Sequence, residues 1–149
     1  MKLDRPNRQH FVYRLQSLTP SSERRFGSLT VTGMLRHLHR TFEICLEEVK
    51  VPDRGNVLTK TIGKWVSIYL PIPIPPGRIK MPDVFTPEPE QEFETEREAL
   101  IKRLDEYLEV LEKEPDRTGL SIYFGNMTMP EWSRLHGAHW HHHLKQFGV

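Results

Sequence analysis

Thr128-Met129-Pro130-Glu131-Trp132-Ser133-Arg134-Leu135-His136-Gly137-Ala138-His139-Trp140-His141-His142-His143-Leu144-Lys145-Gln146-Phe147 opens on a helix start signal and carries five of the eight histidines in the chain. Thr128 with Glu131 three residues on has the spacing of a capping box, and Pro130 suits the first turn, where an amide hydrogen would go unused. The histidine run is not a purification tag: Gly137, Ala138 and Trp140 interrupt it, and Leu144-Lys145-Gln146-Phe147 continues a helical pattern past it. At about 100° per residue, Trp132, Leu135, His136, His139, His143, Gln146 and Phe147 share one broad face, Trp140 falls at its margin, and His141 points the other way.

On that face His139 and His143 stand four residues apart, which stacks two imidazoles one turn apart and lets both reach one ion. Such a pair arises by chance in any histidine-rich helix, so a third ligand decides its meaning. Upstream, Ser28 or Thr30 can cap a helix in which Met34, Leu35, Leu38, Phe42, Cys45, Leu46 and Val49 recur at helical spacing up to Pro52. His37 lies inside that apolar stripe beside Met34, Leu38 and Thr41. A core-facing imidazole needs a partner for each ring nitrogen, and a bond to backbone, tyrosine or water would serve. Taken with His139 and His143, however, His37 is the missing third ligand. Three neutral imidazoles suit zinc, nickel or iron and leave a coordination position for water or substrate. His136, His142, Gln146 and Thr41 are the candidates for the surrounding pocket, and no catalytic residue is assigned.

The rest of the chain is expected to be helical. A short amphipathic stretch from Arg8 to Leu18 stops at Thr19-Pro20-Ser21; Val57 to Leu70 suits a helix, with a strand left open by its β-branched and aromatic residues; Gln91 to Glu114 is the longest helix signal, ended by Pro115. Pro71 to Pro89 holds seven of the twelve prolines and is expected to run extended as a long connection. Asp116 to Gly125 reads as a turn-rich link. Four or five helices and little or no sheet predict an all-α, up-and-down four-helix bundle, one domain over residues 1–149, with a dimer through leftover apolar surface compatible with the same pattern.

Composition narrows the function. With 21 basic against 20 acidic residues there is no large field, so no nucleic-acid partner is expected. No stretch approaches membrane-spanning length and the first residues lack a secretion core, so a cytoplasmic location is the expectation. The single cysteine, Cys45, excludes an internal disulfide and cysteine-rich structural zinc sites; in an apolar stripe it reads as an inert core residue.

Met34-Leu35-Arg36-His37-Leu38, followed by His139-Trp140-His141-His142-His143-Leu144-Lys145-Gln146, resembles the DinB-like superfamily of metal-binding four-helix bundles. The ending Met129-Pro130-Glu131-Trp132-Ser133-Arg134-Leu135-His136, with His139, His142, His143 and Gln146-Phe147-Gly148, is similar to one branch of it whose function is unassigned. The resemblance implies one ligand on the second helix and a His-x-x-x-His on the last, which fall on His37, His139 and His143. It also implies a nickel or zinc cofactor, frequent dimers, and a small-molecule substrate of the kind handled by transferases and isomerases that use low-molecular-weight thiols such as bacillithiol, mycothiol or glutathione. Thiol transfer or hydrolysis is the expected chemistry, with a non-catalytic, metal-stabilised binding or stress-associated protein as the alternative. Leu144-Lys145 replaces the Arg-Gly usual in the transferases, and His141 stands where an acidic residue is common.

Overall fold

The computed structural model describes residues 1–70, 83–87 and 91–149. Within them the chain is mostly helical: α1 (Arg8–Gln16), α2 (Val31–Cys45), α3 (Lys64–Tyr69), α4 (Phe93–Lys113) and α5 (Met129–Gln146), with two short strands, β1 (Thr118–Ser121) and β2 (Gly125–Thr128), between α4 and α5. Of the proline-rich connection expected over Pro71 to Pro89, residues 83–87 are described and hold a 3-10 turn, Asp83–Phe85; the rest lies outside the described residues. Among the described residues no helix is long and apolar enough to cross a membrane.

α2 starts where Thr30 accepts the Gly33 amide hydrogen at 3.0 Å, which selects Thr30 over Ser28 as its cap. It stops a turn earlier than the apolar spacing suggests. Leu46 closes it, Glu47 takes a left-handed backbone (φ 62°), and the chain turns away. Val49, whose spacing prolonged the predicted helix, packs instead with Val51, Ile44, Phe85 and Ile122 in a small second cluster.

The main core is built from one stripe of each long helix. Phe11 and Leu15 of α1, Met34, Leu35, Leu38 and Phe42 of α2, Leu100, Leu104 and Tyr107 of α4, and Trp140 and Leu144 of α5 are all buried in it. At roughly 1.5–3 kcal/mol for each large apolar side chain removed from water, this burial is what aligns α2 with α4 and α5. α5 is buried more widely than one face. Trp140, expected at the margin, is fully enclosed between Phe11 of α1 and Phe42 of α2, each 5.8 Å away between ring centres, and the first residues of the chain, at Leu3, cover α5 at Ser133 and Gly137. There the Leu3 amide donates to the Ser133 carbonyl at 2.9 Å and Ser133 Oγ donates to the Leu3 carbonyl at 3.0 Å. Gly137 allows this approach: a Cβ there would stand 2.2 Å from the Met1 carbonyl oxygen.

The link from Asp116 to Gly125 is a β-hairpin, with Thr118 opposite Thr128 and Ser121 opposite Gly125. Gly119 lies so close to the end of α2 that a Cβ would meet the Cys45 carbonyl oxygen at 2.1 Å. β2 runs straight into α5, where the Glu131 carboxylate accepts the Thr128 amide hydrogen at 2.9 Å in the capping box read from the sequence. The hairpin therefore anchors the start of α5 to the end of α2.

Residues from Val57 to Tyr69 are helical rather than extended, with a wider π turn at Thr59–Gly63 leading into α3. Their apolar stripe does not enter the core. Ile68 is buried, whereas Leu58, Ile62, Trp65 and Tyr69 face outward.

Candidate metal centre

α2 and α5 cross so that His37, His139 and His143 converge, each offering a ring nitrogen, with all three nitrogens within 4.8 Å of one another. His139 Nε2 stands 3.0 Å from His37 Nε2 and 3.0 Å from His143 Nε2. Neither histidine helix could achieve this alone. The i and i+4 positions on α5 supply the pair, and the packing of α2 against α5 supplies the third ring.

The outer nitrogens explain which way the rings face. His37 Nδ1 lies 2.5 Å from the Phe85 carbonyl oxygen, an acceptor only, so Nδ1 carries the hydrogen and Nε2 presents a lone pair. His143 Nδ1 lies 2.9 Å from Gln146 Oε1. The Gln146 amide is oriented by its own Nε2, which donates to the Phe26 carbonyl at 2.7 Å, so its oxygen faces His143 and must accept. His143 Nε2 is thus a second lone pair. At most one proton, on His139, is left to share among three converging nitrogens.

Protonation does not relieve this crowding near neutral pH. Burial, with the neighbouring His37 and His142 rings, pushes His143 down to about 3 despite the bond to Gln146. Burial, then His143 and His37, holds His139 well below the ordinary imidazole range, and burial lowers His37. Three neutral imidazoles with lone pairs aimed at one point fit a cation. When nitrogens sit 2.0–2.1 Å from a tetrahedral zinc ion their mutual separation is about 3.3 Å, near the two 3.0 Å separations made by His139, while the third pair lies within 4.8 Å. The all-nitrogen donor set suits zinc, nickel or iron and not calcium or magnesium, which take oxygen ligands.

The four candidate pocket residues separate. Gln146 is buried and tied to His143, as a residue that orients a ligand would be. His142 is half-buried at the edge of the cluster, its ring 5.1 Å from that of His143 and 5.3 Å from Phe26. His136 is not in the cluster. It stacks on Trp132 (5.2 Å, 25°) between Phe42 and Tyr107, and burial drives it down to about 3. The Thr41 hydroxyl is spent on its own helix, donating to the Leu38 carbonyl at 2.7 Å. His141, exposed, faces Arg14 at 3.2 Å, on the side of α5 away from the cluster. Cys45 is a buried free thiol whose pKa burial raises well above its ordinary value, so it is protonated and unreactive.

Sequence reasoning missed two contributors, the carbonyls of Phe85 and Phe26. Every residue has a carbonyl, so no side-chain pattern marks them. The one trace is Gly27, which follows Phe26 in a left-handed conformation (φ 77°) and lies where a Cβ would meet the Gln146 amide nitrogen at 2.3 Å.

The family model described as "Protein of unknown function (DUF1569)" matches residues 1–148. No curated protein and no solved structure matches the chain.

Proposed function

The chain belongs to the DUF1569 family, whose description assigns no activity, and we propose that it is a metal-dependent enzyme of the DinB-like superfamily, with one divalent transition ion on His37, His139 and His143. The observation that carries this reading is the pair of outer hydrogen bonds, to Phe85 and Gln146, that turn two lone pairs inward on the same point. The up-and-down four-helix bundle of that superfamily is the arrangement we infer for α1, α2, α4 and α5, supported by the packing of α2 on α4 and of α5 on the other three.

When bound, zinc, nickel or iron supplies Lewis acidity that brings the pKa of a small thiol or of water towards neutrality. The chain's own residues do the rest. His37 and His143 are locked by their outer partners, while His139 keeps partial exposure and marks the side from which a small molecule enters. His142, whose ring stands 5.1 Å from that of His143 outside the cluster, is the imidazole we assign to take the proton that the nucleophile loses. The reaction class is attack of a low-molecular-weight thiol, or of water, on a small electrophile. A closed structural site would need a fourth protein ligand: His136 is committed to aromatic packing, which leaves His142, its ring 5.1 Å from that of His143, as the residue that would have to complete the shell.

Elemental analysis of protein purified without a metal column tests the site: one transition ion per chain is expected, lost in His37→Ala, His139→Ala and His143→Ala and kept in His141→Ala. A panel of thiols and electrophiles then tests the chemistry. Turnover that persists in metal-free protein excludes the mechanism. A bound ion with four protein ligands and no turnover would leave metal as a tie between α2 and α5.

A further inference from the structure

A single 3-10 turn, Asp83–Phe85, reaches the metal centre from outside the long helices. The Thr86 amide closes it on the Asp83 carbonyl at 3.0 Å, and the Phe85 carbonyl accepts the His37 Nδ1 hydrogen at 2.5 Å. Of residues 83–87 only Phe85 is buried. A carbonyl holds an imidazole no more firmly than its own residue is held, so whatever places the Phe85 backbone also places the His37 ring.

The Phe85 side chain does this. Its ring packs with Ile44 and Ile122 in the small cluster that is separate from the main core. Ile44 stands seven residues beyond His37 on α2, which at about 100° per residue brings it within about 20° of the same face. Phe85 therefore meets one face of α2 twice, with its carbonyl on His37 and its ring on Ile44. The other wall is fixed independently. Ile122 lies in the turn of the hairpin, where its carbonyl accepts the Arg54 amide hydrogen at 2.8 Å. Ile44 and Ile122 thus form a seat built into the frame of the molecule, and Phe85 is the piece that docks in it.

Docking of this kind is linked to the ion. Five residues are ordered around one buried side chain, so conformational entropy opposes the docked turn and a single apolar ring favours it. An ion on His37 Nε2 draws electron density from the ring and makes Nδ1–H a stronger donor to Phe85. Conversely, the docked carbonyl keeps the hydrogen on Nδ1 and leaves Nε2 its lone pair. Coupling between two equilibria is reciprocal: the factor that docking adds to metal affinity, metal adds to docking.

We propose that Phe85 is a positioning residue of the metal centre, its ring seated on Ile44 and Ile122 so that its carbonyl sets the His37 tautomer, and that docking of the Asp83–Phe85 turn is thereby coupled to metal occupancy. The proposal rests on the metal-centre reading and extends it from the ligands to the segment that controls one of them.

Three measurements on the full chain test it, with zinc as the probe. Zinc competition should show affinity about 10–100-fold lower in Phe85→Ala and near the native value in Phe85→Leu, whose side chain still fills the seat. Nitrogen NMR of the metal-free chain should place the His37 hydrogen on Nδ1 in the native protein and distribute it over both ring nitrogens in Phe85→Ala, a change that a general loss of stability does not produce. Exchange of the Thr86 amide hydrogen in the native chain should slow about 10–100-fold on zinc addition, by reciprocity with the loss of affinity. If Phe85→Ala does not fold, as circular dichroism would report, the Thr86 measurement on the native chain decides. Native zinc affinity in a folded Phe85→Ala overturns the proposal and leaves the metal centre standing, as does Thr86 exchange that ignores zinc in a native chain that binds it. A native chain that takes up no transition ion overturns both.

Discussion

Replacing Gln146 by Met keeps the length and apolar volume of the side chain and removes both of its hydrogen bonds. In the native chain Gln146 Oε1 accepts the His143 Nδ1 hydrogen at 2.9 Å, and Gln146 Nε2 donates to the Phe26 carbonyl at 2.7 Å. After Gln146→Met the buried His143 N–H has no acceptor and the Phe26 carbonyl has lost its donor. Each orphaned buried group costs about 1–3 kcal/mol, so the metal-free chain should lose about 2–4 kcal/mol once water reaches the more exposed Phe26 side. For a chain of this size that lowers Tm by about 5–15 °C. His143 is also freed to place its hydrogen on Nε2, which blocks the ligand lone pair, and loss of such an outer partner weakens metal binding about 10–100-fold. Gln146→Glu separates the two effects. It still accepts from His143 Nδ1, now with charge assistance, but cannot donate to Phe26, so affinity should stay near that of the wild type while stability falls. Zinc competition against a chromophoric chelator reads the affinity, and thermal melts with and without chelator read the stability. If Gln146→Met binds zinc as tightly as the native chain, the view that Gln146 sets the His143 tautomer is wrong.

Metal-free protein should lose stability as pH falls below about 6.5. His136 and His143 are pushed down to about 3, so between those values the unfolded chain holds protons that the folded chain lacks, at about 1.4 kcal/mol per pH unit for each residue. Urea melts at stepped pH read this, and a midpoint that stays flat down to pH 5 contradicts it. Gly119→Ala puts a Cβ 2.1 Å from the Cys45 carbonyl oxygen and should cost about 1–3 kcal/mol, with a change in the emission of Trp132, whose Nε1 donates to the Gly119 carbonyl. The Tyr107 hydroxyl is buried with no hydrogen-bond partner among the described residues, so Tyr107→Phe should be neutral or raise Tm; a loss above about 1 kcal/mol would reveal a partner for it.

The helices, the His139–His143 pair and the core-facing place of His37 were legible in the residue pattern because each rests on local periodicity. The i, i+4 spacing of His139 and His143 is a property of any α-helix, and the place of His37 in an apolar stripe follows from the residues on either side of it. The capping box at Thr128 and the stop at Pro115 are equally local. What failed was direction. The spacing of Leu58, Ile62, Trp65 and Tyr69 suited a helix without saying where its stripe would face, and it faces solvent, while Trp140 looked marginal and is enclosed, because periodicity says that residues share a face without saying what that face meets.

The sequence by itself determined which segments coil and which imidazoles can stand together on one helix, since those depend on bonds between residues three or four apart. Only the tertiary structure decided that His37 reaches the α5 pair, that His136 is withdrawn into an aromatic stack, and that the carbonyls of Phe85 and, through Gln146, Phe26 orient the rings of His37 and His143. Those contacts join residues far apart in the chain, and they exist because burying the apolar stripes of α2, α4 and α5 against one another leaves a single relative placement of the helices that fills the core.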